Sequence, residues 1–455
     1  MIQSKKTDLG KDRIGRLFFA LAIPAITSQL VNALYNMVDR MYIGHIPGSG
    51  AAALTGVGVA FPLIMIIAAF AALVSMGGAP RASIMMGKGD EDQANRILGN
   101  CFTAQVITSI VLTVLTMAFC EPLLMMFGAS ENTIIYAKAY MMIYAAGTIF
   151  VQLTLGMNAF ISAQGFSRTS MLTVVIGAVT NIVLDPILIF GFDMGVRGAA
   201  LATVISQAVS TIWVICFLSS KKSQLRLHPR YFRIQPEILF PAMSLGFAPF
   251  IMQATESILV LCFNSSLLHF GGDLAVGAMT ILSSVMQFSM LPLQGLTQGA
   301  QPIISYNYGS GDISRVKKGF KLLLVSCVIY SSTMWVLAML VPQLLTSIFT
   351  ADPALTQITV WAMRIYMAAL LLMGVQLACQ QTFIALGNAK ISTFLAFLRK
   401  VFLLIPFIYL LPVFIDDKVF AVFLAEPIAD VIAVSVTAIL FFKFFRKVEN
   451  GEIHA

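Results

Sequence analysis

Long apolar runs separated by short polar turns make up most of the 455-residue chain. A helix of about 20 apolar residues is long enough to cross roughly 30 Å of hydrocarbon, and twelve runs reach that length. We predict spans at 17–43, 51–78, 97–120, 134–157, 161–190, 196–218, 237–268, 274–299, 320–342, 356–383, 391–414 and 418–443. The pattern therefore predicts an all-α integral membrane protein with twelve transmembrane helices.

The polar turns between these spans repeat after 222 residues. Gly-Lys-Gly-Asp at 87–90 recurs as Gly-Ser-Gly-Asp at 309–312, and Ala-Gln-Gly at 163–165 recurs as Ala-Leu-Gly at 385–387. One such match could arise by chance, whereas two in register indicate an internal repeat. Membrane transporters with internal repeats bind their substrate between the repeated halves.

The longest polar connection lies where the repeat changes over. It covers 219–236, carries five basic residues, and separates a predicted N-terminal lobe at 1–218 from a C-terminal lobe at 237–455. Each lobe holds six spans. Because six is even, both lobes enter the membrane in the same direction, and we expect a pseudo-twofold axis along the membrane normal.

Composition and charge agree with the bilayer as solvent. Hydrophobic residues make up 58% of the chain and charged residues 11%, against roughly 45–50% and about 25% in soluble domains. With both termini in the cytoplasm, 24 of the 29 Lys and Arg residues, Arg399 and Lys400 among them, fall in inward tails and loops. The net charge of +8 then needs no nucleic acid to explain it. We expect a multi-pass plasma-membrane protein in contact with anionic lipids.

The sequence gives little support to metal, redox or ATP chemistry. The six cysteines are scattered through apolar runs with no CxxC pair, and we interpret them as small hydrophobic residues. No Gly-rich phosphate loop followed by Lys and Ser or Thr occurs in the sequence. We therefore expect no enzyme activity, no cofactor and no firm metal site. No oligomerisation motif is evident, and we expect a monomer.

Polar residues inside the spans are the functional candidates, because placing them in hydrocarbon is costly. Asp39 lies late in the first span, Asn181 and Asp185 share one face of the fifth, and Thr203 follows a run of small residues in the sixth. Their oxygen atoms could hold a proton or Na⁺. Two carboxylates in one low-dielectric cavity cannot both stay charged without a large penalty, so we expect at least one of them to take up a proton near neutral pH.

Simpler interpretations of these acids stay open. Asp39 could form an interfacial ion pair with Arg40, and Asp185 could cap a kink at Pro186. The second half offers different acids, with Glu256 in mid-span and Glu426 and Asp430 four residues apart. We expect Glu256 to be desolvated in its apolar segment, where it could serve either coupling or plain polar packing.

Several of these features resemble the multidrug and toxic compound extrusion (MATE) transporters, with the MepA-like and DinF-like branches nearest. They are the twelve spans, the Gly-x-Gly-Asp turns, and Asn-x-x-x-Asp-Pro at 181–186 followed by Gly-Ala-Ala-x-Ala-Thr at 198–203. The resemblance covers about residues 13–445. It implies a V of two six-helix lobes around a central cavity, and export of cationic drugs or dyes in exchange for H⁺ or Na⁺.

The resemblance also implies residue roles. Positions that match Asp39, Asn181, Asp185 and Thr203 form an N-lobe cation site in the DinF-like branch, and Na⁺ could bind there. Pro24 matches the proline at which the first helix bends. Our candidates for substrate contact, of which Asn158 matches a cavity asparagine, are Asn32, Tyr35, Asn158, Gln207 and Glu256.

The sequence departs from the family at one site. Sodium-coupled NorM-type relatives pair the position of Glu256 with an aspartate in the tenth span, and 367–377 of this chain contains no acid. We therefore expect coupling through the N-lobe carboxylates.

Two other functions stay open. A lipid-linked oligosaccharide flippase of the same superfamily would share the fold, but we would expect more basic residues in its cavity than the few inside these spans. An ion channel would be expected to show symmetric rings of filter residues, unlike this two-lobe repeat.

Overall fold

The computed structural model describes residues 8–452, and every regular element within that range is a helix. Nine of these helices are long and apolar enough to cross a membrane, and two further spans are bent pairs of helices. Helix Pro236–Gly309 has 74 residues, too long for one crossing, and its Gly272 has the non-helical angles φ 64° and ψ −163°. It therefore forms two spans, and the described residues contain twelve, as predicted.

The spans keep the order of the prediction. In chain order they occupy Ile14–Gly44, Gly50–Lys88, Glu91–Ala118, 134–163, Ser167–Gly191, Val196–Leu218, 236–271, 273–309, Ile313–Leu340, 353–385, Ala389–Phe414 and Lys418–Glu449. We number them span 1 to span 12. Spans 4 and 10 are the bent pairs, with bends of 58° and 45°.

The predicted limits differ from the observed helix ends by six residues or more in spans 2, 3, 4, 5, 8, 9 and 12. Spans 2 and 8 continue to Lys88 and Gly309, ten residues beyond the apolar runs. The apolar run ends earlier than the helix, because polar residues can also be helical and the helix ends only near the turns at Gly89 and Gly311. Span 5 begins at Ser167, since 161–163 complete span 4 and Gly165 turns the chain with a φ of 86°.

The repeated tetrapeptides form matching turns. Gly89, with a φ of 80°, ends span 2, and the Asp90 carboxylate caps span 3 by accepting from the Gln93 amide at 2.9 Å. After span 8, Gly311 has a φ of 77° and Asp312 accepts from the Arg315 amide at 3.0 Å. An acid at the helix N-cap satisfies a free amide and favours the positive end of the helix dipole. We call this end of the bundle the turn end.

Large apolar side chains cover the outside of the bundle. Leu340, Ile348, Val413 and Phe414 are all more than two-thirds exposed. Within a span, backbone polar groups are satisfied by helical hydrogen bonds, so such a surface is stable against lipid tails. The protein is therefore a multi-pass membrane protein.

Spans 1 and 7 each cross from one half of the chain to the other. Phe18, early in span 1, packs in a core with Phe441 of span 12, whereas Ile43 at the far end of span 1 packs within the first half. Span 7 does the reverse, since Ala242 packs with Phe160 of span 4. The first span of each half is thus anchored in both halves.

Glycines bring the two halves into backbone contact at the turn end. A β-carbon on Gly87 would collide with the carbonyl oxygen of Tyr306, and one on Gly309 would collide with that of Ile84. The two contacts are related by the 222-residue offset. Nearer the middle, spans 2 and 7 meet in the same way where Gly77 faces the Ala242 carbonyl.

The polar segments before spans 1 and 7 are fastened to the turn end. The side-chain oxygen of Gln164 accepts three hydrogen bonds of 2.8–3.0 Å from Ser223, Gln224 and Leu225 of the linker. Ahead of span 1, Arg315 donates to the Leu9 carbonyl at 2.9 Å. Two residues counted among the inward basic positions, Lys5 and Lys6, lie outside the described residues.

Candidate cation site between spans 1, 4, 5 and 6

Two carboxyl groups meet inside the first half. Asp39 of span 1 is 8% exposed and Asp185 of span 5 is fully buried. Their side chains lie within hydrogen-bonding reach of each other. Both residues are five or six positions from the far ends of their helices, the ends opposite the turn end. The structure therefore brings together two acids that are 146 residues apart in the sequence.

Asn181 completes the pair from one helical turn away. Its side-chain nitrogen donates to Asp185 Oδ1 at 3.2 Å. Three buried oxygens beside it lack a hydrogen-bond donor, Asp39 Oδ1, Asp185 Oδ2 and Asn181 Oδ1. A buried acceptor without a donor is costly. A proton or a hard cation such as Na⁺, which prefers oxygen ligands, would satisfy these atoms, so the donor set fits either ion.

Span 6 reaches the acid pair through a tyrosine of span 4. The Thr203 hydroxyl donates to the Ala199 carbonyl at 3.1 Å and lies close to the Tyr140 hydroxyl. Tyr140 also lies near Asp39. The four residues predicted for the cation site therefore gather in one place, with Tyr140 as the link to Thr203.

Tyr140 and Tyr144 are site residues that the sequence reasoning missed. They are buried and stacked one turn apart, with ring centroids 6.2 Å from each other. Both lie near the predicted substrate residue Tyr35. The sequence contained a signal for one of them, because Tyr144 recurs as Tyr366 after 222 residues.

The simpler interpretations of the two acids fit less well. The Arg40 guanidinium lies 4.7 Å from the centre of the Phe61 ring, while the Asp39 carboxyl faces Asp185. The helix does change at Pro186, where a π-helical segment, Ile187–Gly191, follows. The Asp185 side chain, however, contacts Asn181 and Asp39.

The other predicted substrate residues lie apart from the acid pair. Asn158 donates to the Ser170 carbonyl at 3.2 Å, and its own side-chain oxygen is buried without a donor, as is that of Gln207. Both are displaced from the acids toward the turn end. Asn32 is exposed on span 1, one turn before Asn36, which donates to its carbonyl at 2.8 Å.

Pro24 borders a groove between spans 1 and 5. The groove has a volume of about 330 Å³ and is lined by Phe19, Ala20, Ile23, Pro24, Thr27, Arg168 and Met171. Span 1 runs through Pro24 as one helix. Proline has no amide hydrogen, so the carbonyl of Ala20, four residues earlier, lacks its helical donor.

Glu256 lies in the other half, and two predictions about its surroundings were wrong. Its side chain is 63% exposed rather than desolvated, and it pairs with Lys400 at 2.6 Å. Lys400 and Arg399 are buried inside span 11 and do not lie in a loop. Hydropathy averaged over a long apolar run conceals two adjacent charges, which the acids of neighbouring spans compensate.

Comparison with known proteins identifies the family. A model of the MatE family matches residues 24–187 and 249–410, one stretch in each half and together more than half of the chain. The chain belongs to the MatE family. Among curated relatives, the multidrug export protein MepA of Staphylococcus saprophyticus is 26% identical over 390 residues, covering 86% of this chain and 85% of that protein.

Solved structures confirm the MatE fold. The chain resembles the crystal structure of MATE in the bent conformation with a TM-score of 0.91 at 22% identity, covering 98% of this chain and 99% of that one. The crystal structure in the straight conformation matches with a TM-score of 0.90, also at 22% identity, covering 98% and 100%. The fold is therefore the twelve-helix, two-lobed V expected from the sequence.

Proposed function

We propose that this protein is a secondary active multidrug efflux transporter, which exports amphipathic organic cations in exchange for H⁺ or Na⁺. Family membership and the MepA relatives, named as multidrug export proteins, support transport rather than catalysis. The observation that carries the proposal is the buried contact between Asp39 and Asp185. Two acids with unsatisfied oxygens form a site that gains stability by taking up a cation.

The coupling ion acts on the N-lobe acids. Uptake of a proton or Na⁺ neutralises negative charge at Asp39 and Asp185, and Asn181 can donate to a carboxylate or accept from a protonated carboxyl. A cationic substrate loses the charge that attracts it when the ion binds. Ion and substrate therefore compete, which is what exchange requires, and the ion shifts the conformational equilibrium only by its differential affinity for the two states.

Span 1 transmits the change between the lobes at 1–218 and 237–455, joined by the linker 219–236. Its first part is anchored against the C-terminal half and its last part carries Asp39, with Pro24 between them. Bending at Pro24 moves the acid relative to its anchor. In this proposal the turn end and both termini lie in the cytoplasm, and the lobes rock about their contacts there.

Substrate contact involves Tyr35, Asn32, Asn158 and Gln207 in the N-lobe and Glu256 across the cleft. Aromatic faces attract organic cations, and the 25 methionines and 34 phenylalanines of the chain provide apolar surfaces that repack around different cargoes. We propose a plasma-membrane monomer that needs no cofactor.

An oligosaccharide flippase is the second candidate, and one observation favours it. The buried Arg399 and Lys400 remove the argument that basic residues are absent from the spans. Both, however, are paired with carboxylates at 2.6–3.0 Å, which leaves neither of them free for an anionic cargo.

Transport of several cationic dyes by membrane vesicles tests the proposal, with the pH and Na⁺ gradients imposed separately. We expect one gradient alone to drive dye against its concentration difference. Dye that only equilibrates would indicate a channel, and chemically altered dye would indicate an enzyme. Transport of a lipid-linked sugar in place of the dyes would indicate the flippase.

A further inference from the structure

Five charged side chains form a cluster in the C-terminal half, which we call the C-lobe charge cluster. Lys400 of span 11 pairs with Glu256 of span 7 at 2.6 Å. The neighbouring Arg399 pairs with two acids of span 12, Asp430 at 2.6 Å and Glu426 at 3.0 Å. All except Glu256 are buried. The cluster thus joins a buried set of charges to one exposed carboxylate.

The cluster has one carboxylate more than it has cations. Three acids face two bases, so the ionised cluster carries a net charge of −1. A buried excess charge is unfavourable, and the nearby Tyr366 supplies no positive charge. An additional monovalent cation would neutralise the cluster.

Local helix geometry brings both bases into the cluster. The segment Leu398–Leu404 of span 11 is π-helical. Such segments are rare and are frequently found at functional sites. Arg399 and Lys400 are sequence neighbours, and yet both side chains are buried against acids.

The cluster lies between the spans that the repeat relates to those around the N-lobe acid pair. The pair lies between spans 1, 4, 5 and 6, and the cluster between spans 7, 10, 11 and 12. Tyr144 of the first site and Tyr366 of the second are separated by 222 residues. In the N-lobe site two acids contact each other. In the C-lobe charge cluster the exposed acid, Glu256, is paired with Lys400.

We propose that Lys400 is a tethered cation that competes with the positive group of the exported organic cation for Glu256. The inference rests on the proposed function, which already places Glu256 among the substrate contacts. Glu256 is the accessible member, and Lys400 supplies its counter-charge while no cargo is bound.

When an organic cation displaces Lys400 from Glu256, a second acid is available to Lys400. It lies close enough to Glu426 for their charges to interact, and Glu426 gives only one of its oxygens to Arg399. When an organic cation arrives at Glu256, Lys400 turns toward Glu426. The five groups and the cation are then neutral together. A neutral or anionic molecule gains nothing from this exchange, so the site selects for positive charge.

Binding of tetraphenylphosphonium to the purified transporter tests the inference. K400M removes the competitor, and we expect the dissociation constant to fall at least about tenfold, since hydrogen bonds to charged groups contribute about 1.5–3 kcal/mol. The double variant K400M/E256Q should lose this gain. Lys390→Met, exposed at the start of the same span, should leave affinity unchanged, and tetraphenylborate, of the same shape and opposite charge, should not bind K400M more tightly.

A conservative variant at Lys400 separates loss of the positive charge from a general disturbance of the structure. K400R keeps the tethered charge and should bind like the wild type, so tighter binding by K400R would overturn the competition. Unchanged affinity in K400M, or a gain that survives E256Q, would overturn the site. If the wild type exports the cation but K400M binds it no better, the inference about Lys400 is wrong and the proposed function stands. If the wild type does not transport it under any gradient, the proposed function fails.

Discussion

At the scale of single residues, the candidate cation site depends on oxygens that lack donors. Asp39 and Asp185 were predictable because a charge in an apolar run stands out, and four-residue spacing places Asn181 on the same face as Asp185. The tyrosines did not stand out, since aromatic residues are ordinary in membrane helices. Only the contact of Tyr140 with Thr203 and its position beside Asp39 reveal its place in the site.

Removal of the Tyr140 hydroxyl tests whether Tyr140 belongs to the candidate cation site. Tyr140→Phe removes the hydroxyl that lies close to Thr203 and Asp39, and a hydrogen bond made by such a group contributes about 1 kcal/mol. We expect the initial rate of dye efflux per transporter to fall about fivefold, with an unchanged amount of folded protein in the membrane. The matched control is Tyr136→Phe, one turn earlier on the same helix. Equal rates in both variants would exclude Tyr140 from the site.

At the scale of helices, the number and order of spans follow from the apolar runs, but their ends and internal charges do not. Helix ends depend on turns such as the one at Gly165, which an average over apolar residues does not detect. The burial of Arg399 and Lys400 depends on acids in spans 7 and 12. These acids lie 144 positions from Lys400 and 27 to 31 positions from Arg399, so no local pattern in span 11 reveals the burial.

Pro24 is the helix-scale prediction. In Pro24→Ala the new amide can bond to the Ala20 carbonyl, which favours an unbent span 1 by up to about 3 kcal/mol. We expect the purified variant to unfold at a higher temperature, and its efflux to fall at least about tenfold because the bent state is less populated. The control is Pro62→Ala in span 2. A Pro24→Ala variant that exports at the wild-type rate would contradict a role for bending.

At the scale of the whole molecule, the 222-residue repeat predicted the symmetry but not how the halves touch. Its glycines turned out to have two roles, since Gly89 and Gly311 form turns while Gly87 and Gly309 allow backbone contact between the halves. Which half anchors the start of span 1 was also invisible to the sequence, because the apolar residues there could pack against either lobe.

The contact at Gly87 yields a prediction about conformation. Overpacking costs about 1–3 kcal/mol, so Gly87→Ala should open the turn end. We expect amide hydrogen exchange in 84–90 and 306–312 to rise at least about tenfold. Gly58→Ala lies in the same helix with nothing within 4 Å of the new β-carbon, and its exchange should match the wild type. An equal result for both variants would show that these glycines do not hold the halves together.

The central claim is that Asp39 and Asp185 act as one coupling site, and accumulation of tetraphenylphosphonium by proteoliposomes tests it most directly. The driving ion gradient is imposed, and Asp39→Asn, Asp185→Asn and the double variant are compared with Asp416→Asn, the same change in an exposed loop. We predict uphill accumulation by the wild type and Asp416→Asn, none by either single variant, and a double variant no worse than the singles. Substantial gradient-driven accumulation in both single variants would contradict the account.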